Sequence, residues 1–153
     1  MMNVEVVKNF DQELIQLLIQ MEEDAFGDGG LNQWHLVPFI RHGRVYLARE
    51  GQNVVGMAQY MRDWDKPNKA YLMGVSIDTE ERGKGFGTIL LRESLRLLQN
   101  EGITEVELTV DPQNIAAIRV YEGKLGFIKA GMRVDEYGAG ENRLVMLLSL
   151  SNS

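Results

Sequence analysis

The stretch Val75-Ser76-Ile77-Asp78-Thr79-Glu80-Glu81-Arg82-Gly83-Lys84-Gly85-Phe86-Gly87-Thr88 takes an apolar strand through alternating glycines directly into a helix. A chain that turns from strand to helix in so few residues is committed locally to an α/β unit. Glycine lets the backbone adopt positive φ and leaves no side chain between its N–H groups and a ligand. The helix start adds unpaired N–H donors and the positive end of a dipole, which together make an anion site. Hydrogen bonds to a charged group are worth roughly 1.5–3 kcal/mol each, so several amides can hold a pyrophosphate. Arg82 and Lys84 add positive charge at the same place. The competing reading of the glycines alone is a solvated connector. Two nucleotide motifs are excluded. The dinucleotide fingerprint needs G-x-G-x-x-G where this chain has G-x-G-x-G, and Asp78 stands where the first glycine of a Walker loop would be.

The rest of the chain is patterned around this unit. Phe10, Leu14, Leu17, Leu18 and Met21 recur at helical spacing behind Asn9 as a possible cap, and Phe26 to Asn32 breaks that helix. Trp34 to Ile40 forms a second short helix. Strands are predicted over Arg44–Glu50, Asn53–Tyr60 and Ala70–Ile77, the first two joined by a tight Gly51-Gln52 turn. A helix follows over Phe86–Asn100, then a strand over Glu105–Val110 and a helix over Gln113–Lys124. Two last strands span Phe127–Val134 and Arg143–Ser149. This order predicts a single α/β domain over residues 1–153, with a bent mixed sheet of about six to seven strands and helices on both faces.

The totals narrow the function classes. A chain of 153 residues with 44% hydrophobic and 25% charged residues has the composition of an ordinary globular protein. With no cysteine, disulfides, thiolate nucleophiles and cysteine-ligated zinc are excluded. His35 and His42 have no carboxylate cluster beside them, so no metal site is expected. The polar start (Asn3, Glu5, Lys8, Asn9) is unlike a signal peptide and no apolar run is long enough to span a bilayer. The expectation is a cytoplasmic protein with no membrane partner. A net charge of −6 argues against nucleic acid and leans towards a cationic partner.

Arg82-Gly83-Lys84-Gly85-Phe86-Gly87 resembles the Arg/Gln-x-x-Gly-x-Gly/Ala signature of the GNAT superfamily of N-acetyltransferases. A second stretch resembles the same family: Asn114-Ile115-Ala116-Ala117-Ile118-Arg119-Val120-Tyr121, with Gly126-Phe127 beyond, matches its Asn-x-x-Ala-x-x-x-Tyr helix and Gly-Phe ending. The order of elements agrees over nearly the whole chain.

The resemblance implies a GNAT-like fold and direct acetyl transfer from acetyl-CoA, as co-substrate, to an amine. It implies that the backbone of Val75, Ser76 and Ile77 pairs with the pantetheine arm. The amides of Arg82, Gly83, Lys84, Gly85, Phe86, Gly87 and Thr88 would hold the pyrophosphate. Asn114 would touch the cofactor arm, although its place before an apolar run also suits a helix cap. Tyr121 would be the acid that protonates the departing thiolate. A thiol near pKa ~8.5 taking a proton from a phenol near ~10 costs about 2 kcal/mol, modest for a coupled step. Asn114, Ala117 and Tyr121 share one helix face, but without the motif Tyr121 reads as a core tyrosine. The chain departs from the family in having five residues rather than four from Tyr121 to Gly126. Gly123 either ends the helix early or sits in a local bulge, which bears on the packing of Phe127 rather than on Tyr121.

Amine acetylation needs a neutral nitrogen, and an alkylamine of pKa ~10.4 is deprotonated about once in 2,500 molecules at pH 7. Many relatives carry a basic carboxylate on the strand before the glycine turn, but Ala70 to Ile77 has none. Glu105, Glu107, Asp111 and residues of the first loop remain candidates, each equally readable as a surface carboxylate. The acceptor side of such folds corresponds to Glu22, Glu23, Asp24, Phe26, Asp28 and Trp34, to Asp63, Trp64 and Asp65, and to Asp135, Glu136 and Tyr137. Acidic and aromatic groups there suit a small cationic amine or a peptide amine. The rival is a non-catalytic acyl-CoA-binding or regulatory module of the same fold. A homodimer is left open.

Overall fold

The first helix begins where a side chain can satisfy its free amides. Asp11 is extended, and its carboxylate accepts from the Leu14 N–H at 2.8 Å, so the cap is Asp11 rather than the expected Asn9. Phe10 consequently stands outside the helix. The computed structural model describes residues 2–150. Its elements are β1 (Met2–Val6), α1 (Gln12–Phe26), α2 (Gln33–His42), β2 (Arg44–Glu50), β3 (Asn53–Arg62), β4 (Lys69–Ile77), α3 (Phe86–Asn100), β5 (Glu105–Val110), α4 (Ile115–Arg119), β6 (Ile128–Arg133) and β7 (Arg143–Ser149). Seven strands form one mixed sheet in the order β1-β2-β3-β4-β5-β7-β6, within the expected six to seven. No helix of the described residues is long and apolar enough to cross a membrane. Two compact units carry these elements. One holds the chain up to Met61 together with Met73–Arg96, the other Arg62–Leu72 and the chain from Leu97 onward.

In the first unit the period-two alternation of the strands divides two environments. Val45 and Leu47 of β2 and Met57 of β3 pack with Ile15, Leu18 and Met21 of α1 and with Leu36 and Ile40 of α2. The alternate positions Tyr46 and Tyr60 face the other way and stack edge to face, with ring centroids 5.8 Å apart. The buried Tyr60 hydroxyl hydrogen-bonds Ser94 of α3 at 2.7 Å. α2 opens on a capping box in which Asn32 and His35 each satisfy a backbone amide, which gives that histidine a structural task. β1 was not expected. It pairs antiparallel with β2 from Met2↔Glu50 to Val6↔Tyr46, and its polar positions Asn3 and Glu5 are exposed.

In the second unit Lys69–Tyr71 of β4 run parallel to Glu105–Glu107 of β5, and β5 pairs antiparallel with β7 from Glu105↔Ser149 to Val110↔Leu144. β6 pairs with β7. Val106, Leu108, Phe127 and Met146 are buried. The helix expected over Gln113–Lys124 is divided: α4 stops at Arg119 and Val120–Lys124 form a wider π turn. The Leu125 N–H reaches the carbonyl of Val120, five residues back, at 3.2 Å. A turn that widens by one residue is how a helix accommodates an insertion, and it accounts for the additional residue before Gly126. Phe127 stays 1% exposed, so its packing is unharmed.

Candidate active site

The glycine turn lies wholly in the first unit. β4 ends at Ile77, the Asp78 N–H donates to the Val55 carbonyl at 2.9 Å, and the Asp78 carboxylate accepts from Glu80 at 3.2 Å. A short 3₁₀ turn, Thr79–Glu81, leads into the glycines. Gly83 and Gly85 both have φ of 81°, and a Cβ at either would meet nothing within 4 Å. Conformation rather than space therefore demands glycine there. The N–H groups of Arg82, Gly83, Lys84 and Gly85 have no hydrogen-bond partner among the described residues. α3 begins at Phe86, and its first amides have no intrahelical acceptor. The chain thus presents consecutive free donors, uncovered by side chains, at the positive end of a fifteen-residue helix. These residues fit a diphosphate. The basic side chains are partly committed: Arg82 Nε donates to the Ile77 carbonyl at 3.2 Å and Lys84 Nζ to Glu81 at 2.9 Å. The Lys84 ammonium is held above the ordinary lysine value chiefly by that hydrogen bond.

Asn114 and Tyr121 stand in the second unit. The Asn114 side-chain oxygen accepts from Ala117 at 3.2 Å, so it caps α4, and its amide NH₂ has no hydrogen-bond partner among the described residues. Tyr121 is the second residue of the π turn, and its carbonyl accepts from Phe127 at 2.9 Å. The two rings meet edge to face at 5.9 Å. The Tyr121 hydroxyl has no hydrogen-bond partner among the described residues, and burial pushes its pKa above the ordinary phenol value. It therefore carries its proton throughout the neutral range.

The candidate bases on β5 and just beyond its end are otherwise occupied. Glu107 is buried between Lys69 at 2.9 Å and Arg133 at 3.1 Å, and Glu105 lies 3.5 Å from Lys69. Asp111 accepts from the Gln113 N–H at 2.9 Å. The first loop holds a different kind of carboxylate. Glu22 is 2% exposed, and burial raises its pKa above the usual carboxylate range, against the hydrogen bond from Leu31 and the nearby Ser76 hydroxyl. Nothing in the run Glu22-Glu23-Asp24 sets it apart from its exposed neighbours in the sequence. Gln59 was also missed. A lone amide among the apolar residues of β3 was the available signal.

The remaining acceptor-side residues are exposed or held locally. Trp34, Trp64 and Tyr137 are exposed, and Arg143 lies over the Tyr137 ring at 5.1 Å. Asp24 takes the Gln20 amide, Asp63 caps its own turn, Asp135 accepts from Gly140 and Glu136 pairs with Arg133.

Residues 12–127 match the model of the acetyltransferase (GNAT) family. The rat (Rattus norvegicus) protein N-acetyltransferase 8F1 is 30% identical over 95 residues, covering 60% of this chain and 42% of that protein. The chain thus spans less than half the length of the first such relatives. Among solved structures, the ribosomal-protein-S18-alanine N-acetyltransferase of Escherichia coli superposes with a TM-score of 0.83 at 20% identity, covering 100% of this chain and 96% of that one. A Bacillus subtilis acetyltransferase in complex with CoA gives 0.77 at 15% identity over 99% and 100%.

Proposed function

Because the chain belongs to the acetyltransferase (GNAT) family, we propose that it transfers the acetyl group of acetyl-CoA directly to an amine. The observation that carries this reading is the row of unpartnered amides from Arg82 to Gly85 at the start of α3. Acetyl-CoA supplies the acetyl group activated as a thioester. The turn amides bind its phosphates, and the backbone of Val75 to Ile77 orients the arm. Tyr121 holds a proton at Oη for the leaving sulfur. The complex of a fold neighbour with CoA supports the same reading.

The acceptor is a small cationic amine or a peptide amine. The net charge of −6 supports this, as do Glu22, Glu23, Asp24 and Asp28, a stretch free of Lys and Arg. The test is CoA release measured over alkylamines, amino acids, aminoglycosides and peptides at low and high salt. Cationic acceptors are expected to turn over best, with KM rising as the Debye length falls from about 10 Å at 0.1 M to about 3 Å at 1 M. Best turnover with anionic acceptors would contradict the charge argument. CoA binding without release for any amine would favour the non-catalytic module.

A further inference from the structure

Four buried side-chain atoms lack a hydrogen bond among the described residues: Glu22 Oε2, Gln59 Nε2, Gln59 Oε1 and Ser76 Oγ. Native proteins leave few such atoms, and each calls for an explanation. All four belong to three residues of the first unit that are between 1% and 3% exposed. Glu22 sits near the end of α1, with Oε1 accepting from the Leu31 N–H at 3.2 Å while Oε2 is left over. The Ser76 hydroxyl is near enough to favour the charged carboxylate, yet it makes no well-formed hydrogen bond. Gln59 shares the sheet face of Met57, and its Oε1 lies 3.1 Å from where a Cβ on Gly74 would stand. Gly74 and Ser76, two apart on β4, share a face as well. A side chain at Gly74 would crowd the Gln59 oxygen, so glycine there leaves that buried oxygen its room.

The three residues offer a carboxylate oxygen, an amide oxygen and a hydroxyl that can accept or donate, with the Gln59 NH₂ as the other donor. A primary ammonium, with three N–H donors and a positive charge, complements that set. An anion does not. We propose that Glu22, Gln59 and Ser76 receive the ammonium group of the acceptor and that the Glu22 carboxylate takes its proton. This rests on the acetyltransferase reading and deepens it.

The ammonium gives one proton to Glu22, leaving a neutral amine and a carboxylic acid. The nitrogen lone pair forms the C–N bond at the thioester carbonyl, and the C–S bond breaks. The sulfur takes the Tyr121 proton, and the second nitrogen proton makes good that loss. Glu22 then releases its proton to solvent. Burial raises the Glu22 pKa and so narrows its gap to the amine. No titratable neighbour contributes to that shift; Leu31 and Ser76 are the groups that oppose it.

Two measurements on wild type and Glu22→Gln test the pocket. Glutamine keeps the size of the side chain and its bond to Leu31. In the first, carbon-13 NMR follows the glutamate carboxyls against pH, with Glu22 assigned as the resonance absent from Glu22→Gln. Its midpoint is expected above the ordinary carboxylate range and is expected to fall when butylammonium chloride, but not tetramethylammonium chloride, is added. In the second, CoA release is compared for butylamine and for 2,2,2-trifluoroethylamine, which is largely neutral at pH 7. Glu22→Gln is expected to lower kcat/KM by about 10²–10³-fold on butylamine and less than about tenfold on trifluoroethylamine, with acetyl-CoA affinity unchanged. A midpoint that butylammonium leaves in place overturns the proposal, as does an equal loss on both amines. Wild-type protein that binds no acetyl-CoA would instead overturn the acetyltransferase reading. The Glu22 titration needs no turnover and would still decide the pocket.

Discussion

Tyr121→Phe is expected to lower kcat by about 10²–10⁴-fold while acetyl-CoA affinity stays within about twofold. The substitution removes one hydroxyl that has no hydrogen-bond partner among the described residues. It keeps the ring that meets Phe127 edge to face, so the fold of the π turn should survive. Burial holds the phenol above its ordinary pKa, which keeps the acid form populated at neutral pH. The sign follows. If the proton on Tyr121 is required, activity falls only as pH rises through that raised value, and the basic limb of the kcat profile lies above the ordinary phenol range. In the Phe variant that limb should vanish together with most of the rate. Full activity at neutral pH with an unchanged basic limb would make Tyr121 a packing residue. Steady-state kinetics across pH, with calorimetry for the cofactor, checks both halves.

Gly85→Val is expected to weaken acetyl-CoA binding by about 10²-fold or more. A β-branched residue at φ of 81° is strained by roughly 1–3 kcal/mol, and relief of that strain turns the amides away from the ligand. Each lost hydrogen bond to a phosphate adds about 1.5–3 kcal/mol, and about 1.4 kcal/mol is tenfold in affinity. The new side chain itself begins in open space, since a Cβ at Gly85 has nothing within 4 Å. Damage should therefore stay in the turn, with a loss of stability no larger than that strain and no loss of fold. Calorimetric titration of the folded variant reads the effect. Affinity equal to wild type would remove the turn from the binding site.

The elements most legible in the sequence are those whose pattern matches their burial. β2, β5, β7 and α3 have the bounds that their apolar runs and helical spacing predict, because those runs are buried: four consecutive residues in β2 and three each in β5 and β7. β1 was illegible for the opposite reason: it is a five-residue strand at one end of the sheet order, with Asn3 and Glu5 outward. The π turn announced itself only as a one-residue mismatch after Tyr121, and its form depends on hydrogen bonds that spacing does not encode. The glycine turn was readable because its chemistry is in the backbone, where glycine placement is the signal. The burial of Glu22 was not. Its character comes from leaving solvent close to Ser76, 54 positions away. Within Glu22-Glu23-Asp24, only tertiary packing decides which carboxylate leaves solvent.

Direct acetyl transfer is tested most directly by following the acetyl group itself. Wild-type protein is given acetyl-CoA labelled with deuterium in the acetyl methyl, together with the amine panel, and the products are identified by mass spectrometry. Free CoA and an amine bearing the labelled acetyl group are expected in equal amounts, with no labelled protein at any time. Labelled acetyl-CoA that binds but is recovered unchanged with every amine, or a labelled enzyme that precedes the product, would contradict direct transfer.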